Sequence, residues 1–117
     1  MSYNLAFWKG HAVADADAEG VYLALSSGEV VSGIPDVDAA ALDRALRDGL
    51  AGWTWESGVL TPPESVDAGP RFEVTVGTQF VEFVGHGVDG EYLNAVIDAM
   101  RPFGFRLFDP QTGERFD

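Results

Sequence analysis

Residues 71–113 read RFEVTVGTQFVEFVGHGVDGEYLNAVIDAMRPFGFRLFDPQTG, and the fold turns on this stretch. Phe72, Val74 and Val76 alternate with Arg71, Glu73 and Thr75, the period of a strand with one apolar face. Phe80 to Val84 reads as its partner. Gly77-Thr78 between them suits a two-residue type II′ turn, whose twist matches the strands. A helix is expected from Asp89, an N-cap residue type, with Glu91 in its first turn and Leu93, Val96, Ile97 and Met100 along one stripe. Arg101 complements the C-terminal end of that helix, and Gly104 is placed to close it with positive φ. Phe105 and Leu107 then alternate with Arg106 in a last strand. Asp109-Pro110-Gln111-Thr112-Gly113 is turn chemistry.

Toward the N-terminus, Tyr3, Leu5 and Phe7 alternate with Asn4, Ala6 and Trp8, so a strand is expected over about Ser2 to Lys9. A short helix over about Asp15 to Ser26 would bury Ala18, Val21, Tyr22 and Leu25 and stop at Gly28. A second helix opens at Ile34-Pro35-Asp36, with Asp36 as N-cap, because proline disfavours helical geometry in the residue before it. Its stripe is Ala39, Leu42, Leu46 and Leu50, ended by Gly49 and Gly52. Asp38, Asp43 and Asp48 lie off that stripe, in water. Trp53 to Leu60 reads as a short edge strand, limited by Gly58 and Pro62-Pro63. Thr61 to Pro70 is a loop, with three of the six prolines and no periodicity.

The order is strand, two helices, hairpin, helix, strand. With right-handed crossovers this gives an α+β, two-layer sandwich of the ferredoxin-like split βαβ type. It has a four-stranded antiparallel sheet and an extra helix in the first crossover. The 117 residues suit one domain over 1–117, since two separate cores would be too small to be stable.

Nineteen acidic residues face seven basic ones, all Arg except Lys9, for a formal charge of -12. Nucleic acid and anionic membrane both require a basic footprint, so neither is an expected partner. No run of apolar residues is long enough to span a bilayer, and the N-terminus shows no secretory pattern. The chain has no Cys, which suits a reducing cytoplasm.

The opening Met1-Ser2-Tyr3-Asn4-Leu5-Ala6-Phe7-Trp8 and the closing Phe103-Gly104-Phe105-Arg106-Leu107-Phe108-Asp109-Pro110-Gln111 resemble a group of small, uncharacterised, actinobacterial-like proteins. Those begin with an aromatic strand and end with a Gly-led strand running into Asp-Pro-Gln. The resemblance implies a single bacterial α+β domain and transfers no catalytic residue.

Several constellations have chemistry-bearing residue types. Asp15, Asp17 and Glu19, followed by Gly20, match the front of a calcium loop, but the closing bidentate Glu is replaced by Ser26; an acidic helix N-terminus explains them better. No metal or cofactor is expected. His11 and His86 are the only histidines, and with Asp89 they would line a pocket if the ends of the first strand and the hairpin converge. Glu73, Glu82 and Glu56 are candidate acid-base carboxylates, although strand alternation already calls for polar residues there. Ser26-Ser27-Gly28 and Gly85-His86-Gly87 lack the spacing of a nucleophile elbow or P-loop. Trp53 and Trp55 share one strand face by their spacing, and Trp8 lies in the first strand; tryptophan is enriched at interaction hot spots.

Two functions follow as expectations. The first is a non-enzymatic, acidic protein-interaction domain, such as an inhibitor or immunity-type binder of a basic partner, using Asp38, Asp43, Asp48, Trp53 and Trp55. The second is a small-molecule binder or small enzyme with a pocket between sheet and helices near His11, His86 and Asp89. Exposed sheet edges also suit a homodimer.

Overall fold

The computed structural model describes residues 2–9, 18–63 and 69–116. Its elements are β1 (Ser2–Trp8), α1 (Ala18–Ser26), α2 (Ala39–Gly49), β2 (Thr54–Glu56), β3 (Val59–Thr61), β4 (Arg71–Val76), β5 (Val81–His86), α3 (Gly90–Met100), a 3-10 turn (Arg101–Phe103), β6 (Arg106–Asp109) and β7 (Glu114–Arg115). The protein is α+β with one antiparallel sheet in the order β2-β3-β4-β5-β1-β6-β7.

The sheet has seven strands, not the expected four. The extra ones come from segments too short for periodicity to register. Trp53 to Leu60 is not one strand but most of a hairpin, β2 and β3, with Trp55 opposite Leu60. Ser57 and Gly58 both have positive φ, at 52° and 76°, the signature of a type I′ turn, so Gly58 creates the pairing instead of limiting it. At the other edge the Asp109–Gly113 turn folds the chain back so that Glu114 and Arg115 pair with β6. The outermost strands are three and two residues long, which leaves little ladder for a second copy to join.

The two-layer expectation is also corrected, because helices cover both faces. On β1, Leu5 and Phe7 point into a core shared with α2 and α3, while Ala6 and Trp8 point into a second core with α1, Phe80 and Phe108. All four are buried. A strand lying centrally and covered on both sides reads as an apolar run, and Leu5-Ala6-Phe7-Trp8 is one.

Helix α1 buries Ala18, Val21 and Leu25, as its spacing requires, and ends at Gly28 with φ 85°. Helix α2 starts later than expected. Its N-cap is Asp38, not Asp36: the Asp38 carboxylate accepts from the backbone N–H groups of Ala40 and Ala41 at 3.0 and 3.2 Å. The later start exposes Ala39 and buries Ala41 and Ala45 beside Leu42 and Leu46. Asp89 caps α3 as expected, accepting from Glu91 and Tyr92. Gly104 follows the 3-10 turn with φ 84°.

The connection between β4 and β5 is longer than a type II′ turn. It runs from Gly77 to Phe80, and Gly77 does not have positive φ. The longer loop carries Gln79 inward, where its amide accepts from Val31 N–H and donates to the carbonyls of Val31 and Ile34, all at 2.8 Å. This side chain satisfies backbone that belongs to no helix or strand, which the sequence pattern did not reveal. Among the described residues no helix is long and apolar enough to cross a membrane.

Candidate functional site

The principal cleft lies between α3 and the β1–β6 side of the sheet and has a volume of about 390 Å³. That is within the ordinary range for a small-ligand site, roughly 300–1,000 Å³. Leu5 and Phe7 of β1, Phe105, and Leu107 of β6 supply an apolar sheet side; Leu93 and Ile97 supply the α3 side. Leu5, Phe7, Phe105 and Leu107 are buried, whereas Leu93 and Ile97 are only half-buried. Asn94, Asp98 and Arg101 continue α3 to the rim, and Phe116 borders the mouth from the C-terminal side. Phe116 is held there by its N–H, which donates to the Leu107 carbonyl at 2.8 Å.

The polar end of the cleft is built by residues far apart in sequence. The Tyr3 hydroxyl donates to Asp109 Oδ2 at 2.6 Å. Asp109 Oδ1 accepts from the Gln111 backbone N–H at 2.9 Å and from its side-chain amide. Gln111 in turn pairs with the backbone of Asn4, accepting from its N–H at 2.8 Å and donating to its carbonyl at 2.9 Å. The β1–β6 ladder begins only at Ala6, so the Gln111 amide acts as a strand surrogate where β6 has ended. Asp109 is 93% buried, and three donors compensate that burial. The Tyr3 phenol is raised above its usual pKa, first because it donates to Asp109 and then by burial. Sequence reading placed Asp109 and Gln111 in a turn but gave Tyr3, Asp109 and Gln111 no joint role. The signal present was the strand-end run Asp109-Pro110-Gln111.

The residues singled out from sequence are dispersed. His11, Asp15 and Asp17 lie outside the described residues. His86 ends β5 on the α1 side of the sheet, 3.5 Å from Glu73, and neither His86 nor Asp89 lines the cleft. Asp89 is occupied as the α3 cap. Glu82 accepts a short hydrogen bond from the Tyr22 hydroxyl and a longer one from Asn4 Nδ2 at 3.4 Å. Burial and this carboxylate push the Tyr22 phenol up to about 12. Glu73 and Glu82 therefore serve different partners, and Glu56 is exposed on β2. The Ser26 hydroxyl donates to Leu23 O at the end of α1. Gly85 lies within β5, where an added Cβ would come 2.5 Å from Val88 and 3.0 Å from Phe72, so it serves packing. Among the described residues no three His, Cys, Asp or Glu side chains are grouped to hold a metal ion.

The acidic set on α2 also divides. Asp38 is the cap, Asp43 pairs with Arg47 at 3.0 Å, and Asp48 is exposed. Neutralising all three would remove a structural cap along with the charge. Trp53 stacks on Phe72 and meets Tyr92 edge-on, and Trp55 is half-buried against the same core. Trp8 is fully buried beneath the Arg115 guanidinium, 4.3 Å from the ring centroid. In comparisons with known proteins, no family model, curated protein or solved structure matches the chain.

Proposed function

We propose that this chain is a non-enzymatic binding domain whose partner is a basic protein. The observation that carries this reading is the α3 cleft: an apolar interior bordered by the carboxylates of Asp98 and Asp109, in a chain of formal charge -12. Apolar pockets with a few placed polar groups hold ligands, and charge of one sign accelerates encounter with the opposite sign. An inhibitor or immunity-type binder of a basic protein is the concrete version. In this reading the cleft supplies the anchor, while Asp43, Asp48 and the half-buried Trp53 and Trp55 belong to a second surface that steers approach. The inner strands, in the order β4-β5-β1-β6, form a ferredoxin-like frame extended at both edges. A bacterial, cytoplasmic setting is part of the same proposal, supported by the resemblance of the two chain ends and by the Cys-free composition.

The test begins with a partner captured by the immobilised protein and then purified. Its association rate is measured at low and high ionic strength against wild type, Asp43→Asn/Asp48→Asn and Leu93→Trp. Salt should slow association, the two neutralised aspartates should mimic part of that loss, and Leu93→Trp, which fills the cleft, should speed dissociation. A salt-independent rate together with unchanged dissociation from the filled cleft would end this reading.

A further inference from the structure

We propose that the α3 cleft selects an apolar group carrying a protonated amine or guanidinium, presented by the basic partner. This inference rests on the binding-domain reading and names the chemistry of its anchor. The polar end of the cleft offers acceptors. The single Tyr3 hydroxyl proton is committed to Asp109 Oδ2, so the phenol oxygen presents only lone pairs to a ligand. Asp109 is a carboxylate held in place by three donors, and it adds negative charge without offering a proton. At the rim stands a second carboxylate, Asp98, with the exposed guanidinium of Arg101 3.7 Å from it. A ligand that brought its own carboxylate would meet acceptors at the Tyr3–Asp109 end and find side-chain donors only at the rim, from Asn94 and Arg101. One that brings N–H donors on a positive charge is matched.

The remaining surface sets the body of the ligand. Leu93 and Ile97 belong to the apolar stripe of α3, yet they are only half-buried, because among the described residues no second helix covers that flank. With Leu5, Phe7, Phe105 and Leu107 they enclose a space of about 390 Å³, room for a ring or branched side chain and a short cationic arm. The occupant is thus an amphipathic cation, such as a lysine or arginine side chain flanked by an aromatic or aliphatic one.

Tryptamine and indole-3-propionate are suitable probes, since they share one apolar body and carry opposite charges. Both are titrated into the isotope-labelled full chain while backbone and methyl resonances are followed. Tryptamine should shift Leu93, Ile97 and Leu107 and bind about tenfold more tightly than indole-3-propionate, the scale of one charged hydrogen bond. Asp98→Asn, on the exposed rim, should weaken tryptamine several-fold and leave the indole-3-propionate response unchanged or stronger. Tyr3→Phe should weaken tryptamine as well, and its folded spectrum is checked first. Tryptamine should also compete with the captured partner, and the partner should lose affinity to Asp98→Asn. Equal binding of the two probes, preference for indole-3-propionate, shifts confined to other residues, or absence of competition each overturn the assignment. If that happens while partner association still slows with salt and Leu93→Trp still speeds dissociation, the binding-domain reading stands and only the anchor chemistry falls.

Discussion

The two flanks of α3 carry residues of similar character and meet different fates. On one flank Val96, Ala99 and Met100 are buried, and Tyr92 packs edge-on against Trp53. Helix α2 closes that side so tightly that a Cβ on Gly49 would sit 2.7 Å from the Ala99 Cβ. On the other flank Leu93 and Ile97 face the cleft above β1 and β6. No α2 residue lines that cleft. Apolar spacing on a helix records that a stripe needs cover and leaves open what covers it. Where a second helix and a tryptophan arrive, the stripe becomes core; where they do not, it lines a cleft.

The contrast can be broken by mutation. The largest effect is expected on the closed side. Phe72→Ala removes a fully buried ring that stacks with Trp53 and meets Phe83 edge-on, and should cost about 3–5 kcal/mol in urea unfolding. A cost below that of Leu93→Ala would invert the picture of which flank is packed. Next is Gly49→Val, which forces α2 and α3 apart and should cost about 1–3 kcal/mol. Adding Ala99→Gly should recover part of the loss, and a strictly additive double mutant would show that the close approach is not the cause.

Removing the cap of the closing helix, Asp38→Ala, should cost about 1 kcal/mol, read from the urea midpoint, whereas Asp48→Ala on the same helix should be near neutral. On the open flank Leu93→Ala should cost less than the roughly 2–5 kcal/mol typical of a buried leucine, because its side chain is already partly in water.

The smallest expected effect compares the two sheet faces by pH. Tyr22, between α1 and the sheet, has its phenol raised from 10.0 to about 12 by burial and by Glu82. A raised phenol in the folded state binds its proton more tightly than the unfolded chain does. Its contribution is therefore complete below pH 10.0 and declines as pH climbs to about 12. Tyr3 is raised in the same sense by Asp109. Melting temperatures should fall across this window, and Tyr22→Phe should flatten the fall more than Tyr3→Phe. An unchanged slope in Tyr22→Phe would mean that neither the burial of this phenol nor its bond to Glu82 persists in solution.

Sequence reading recovered much of the frame and little of the site. The stripes of α1 and α3, the Asp89 cap, the Gly28 and Gly104 stops and the alternation in β1 and β4 are local patterns, written over a few residues each. The misassigned features fall where local signals are short or ambiguous. Asp36 and Asp38 are both good caps two residues apart, and only the helix chooses between them. A strand of two or three residues, such as β7 or β2, shows no period. Trp8 read as the weaker face of β1 because alternation ranks the two faces and does not count how many layers lie against them.

What the sequence alone determined, then, is the kind and rough place of each long element, since backbone preference and apolar period act over one or two turns of chain. The tertiary structure decided which elements meet. Tyr3 reaches Asp109 across 106 positions, and Gln111 completes the edge of β1 across 107. Tyr22 reaches Glu82 across 60, and Gln79 holds Val31 across 48. In each such pair a polar side chain meets a group far away in sequence, and no local pattern marks the meeting. Their roles exist only once the sheet has brought the partners together, and a hydrogen bond becomes decisive where its loss would leave a group buried and unpaired, as at Asp109 and Gln79.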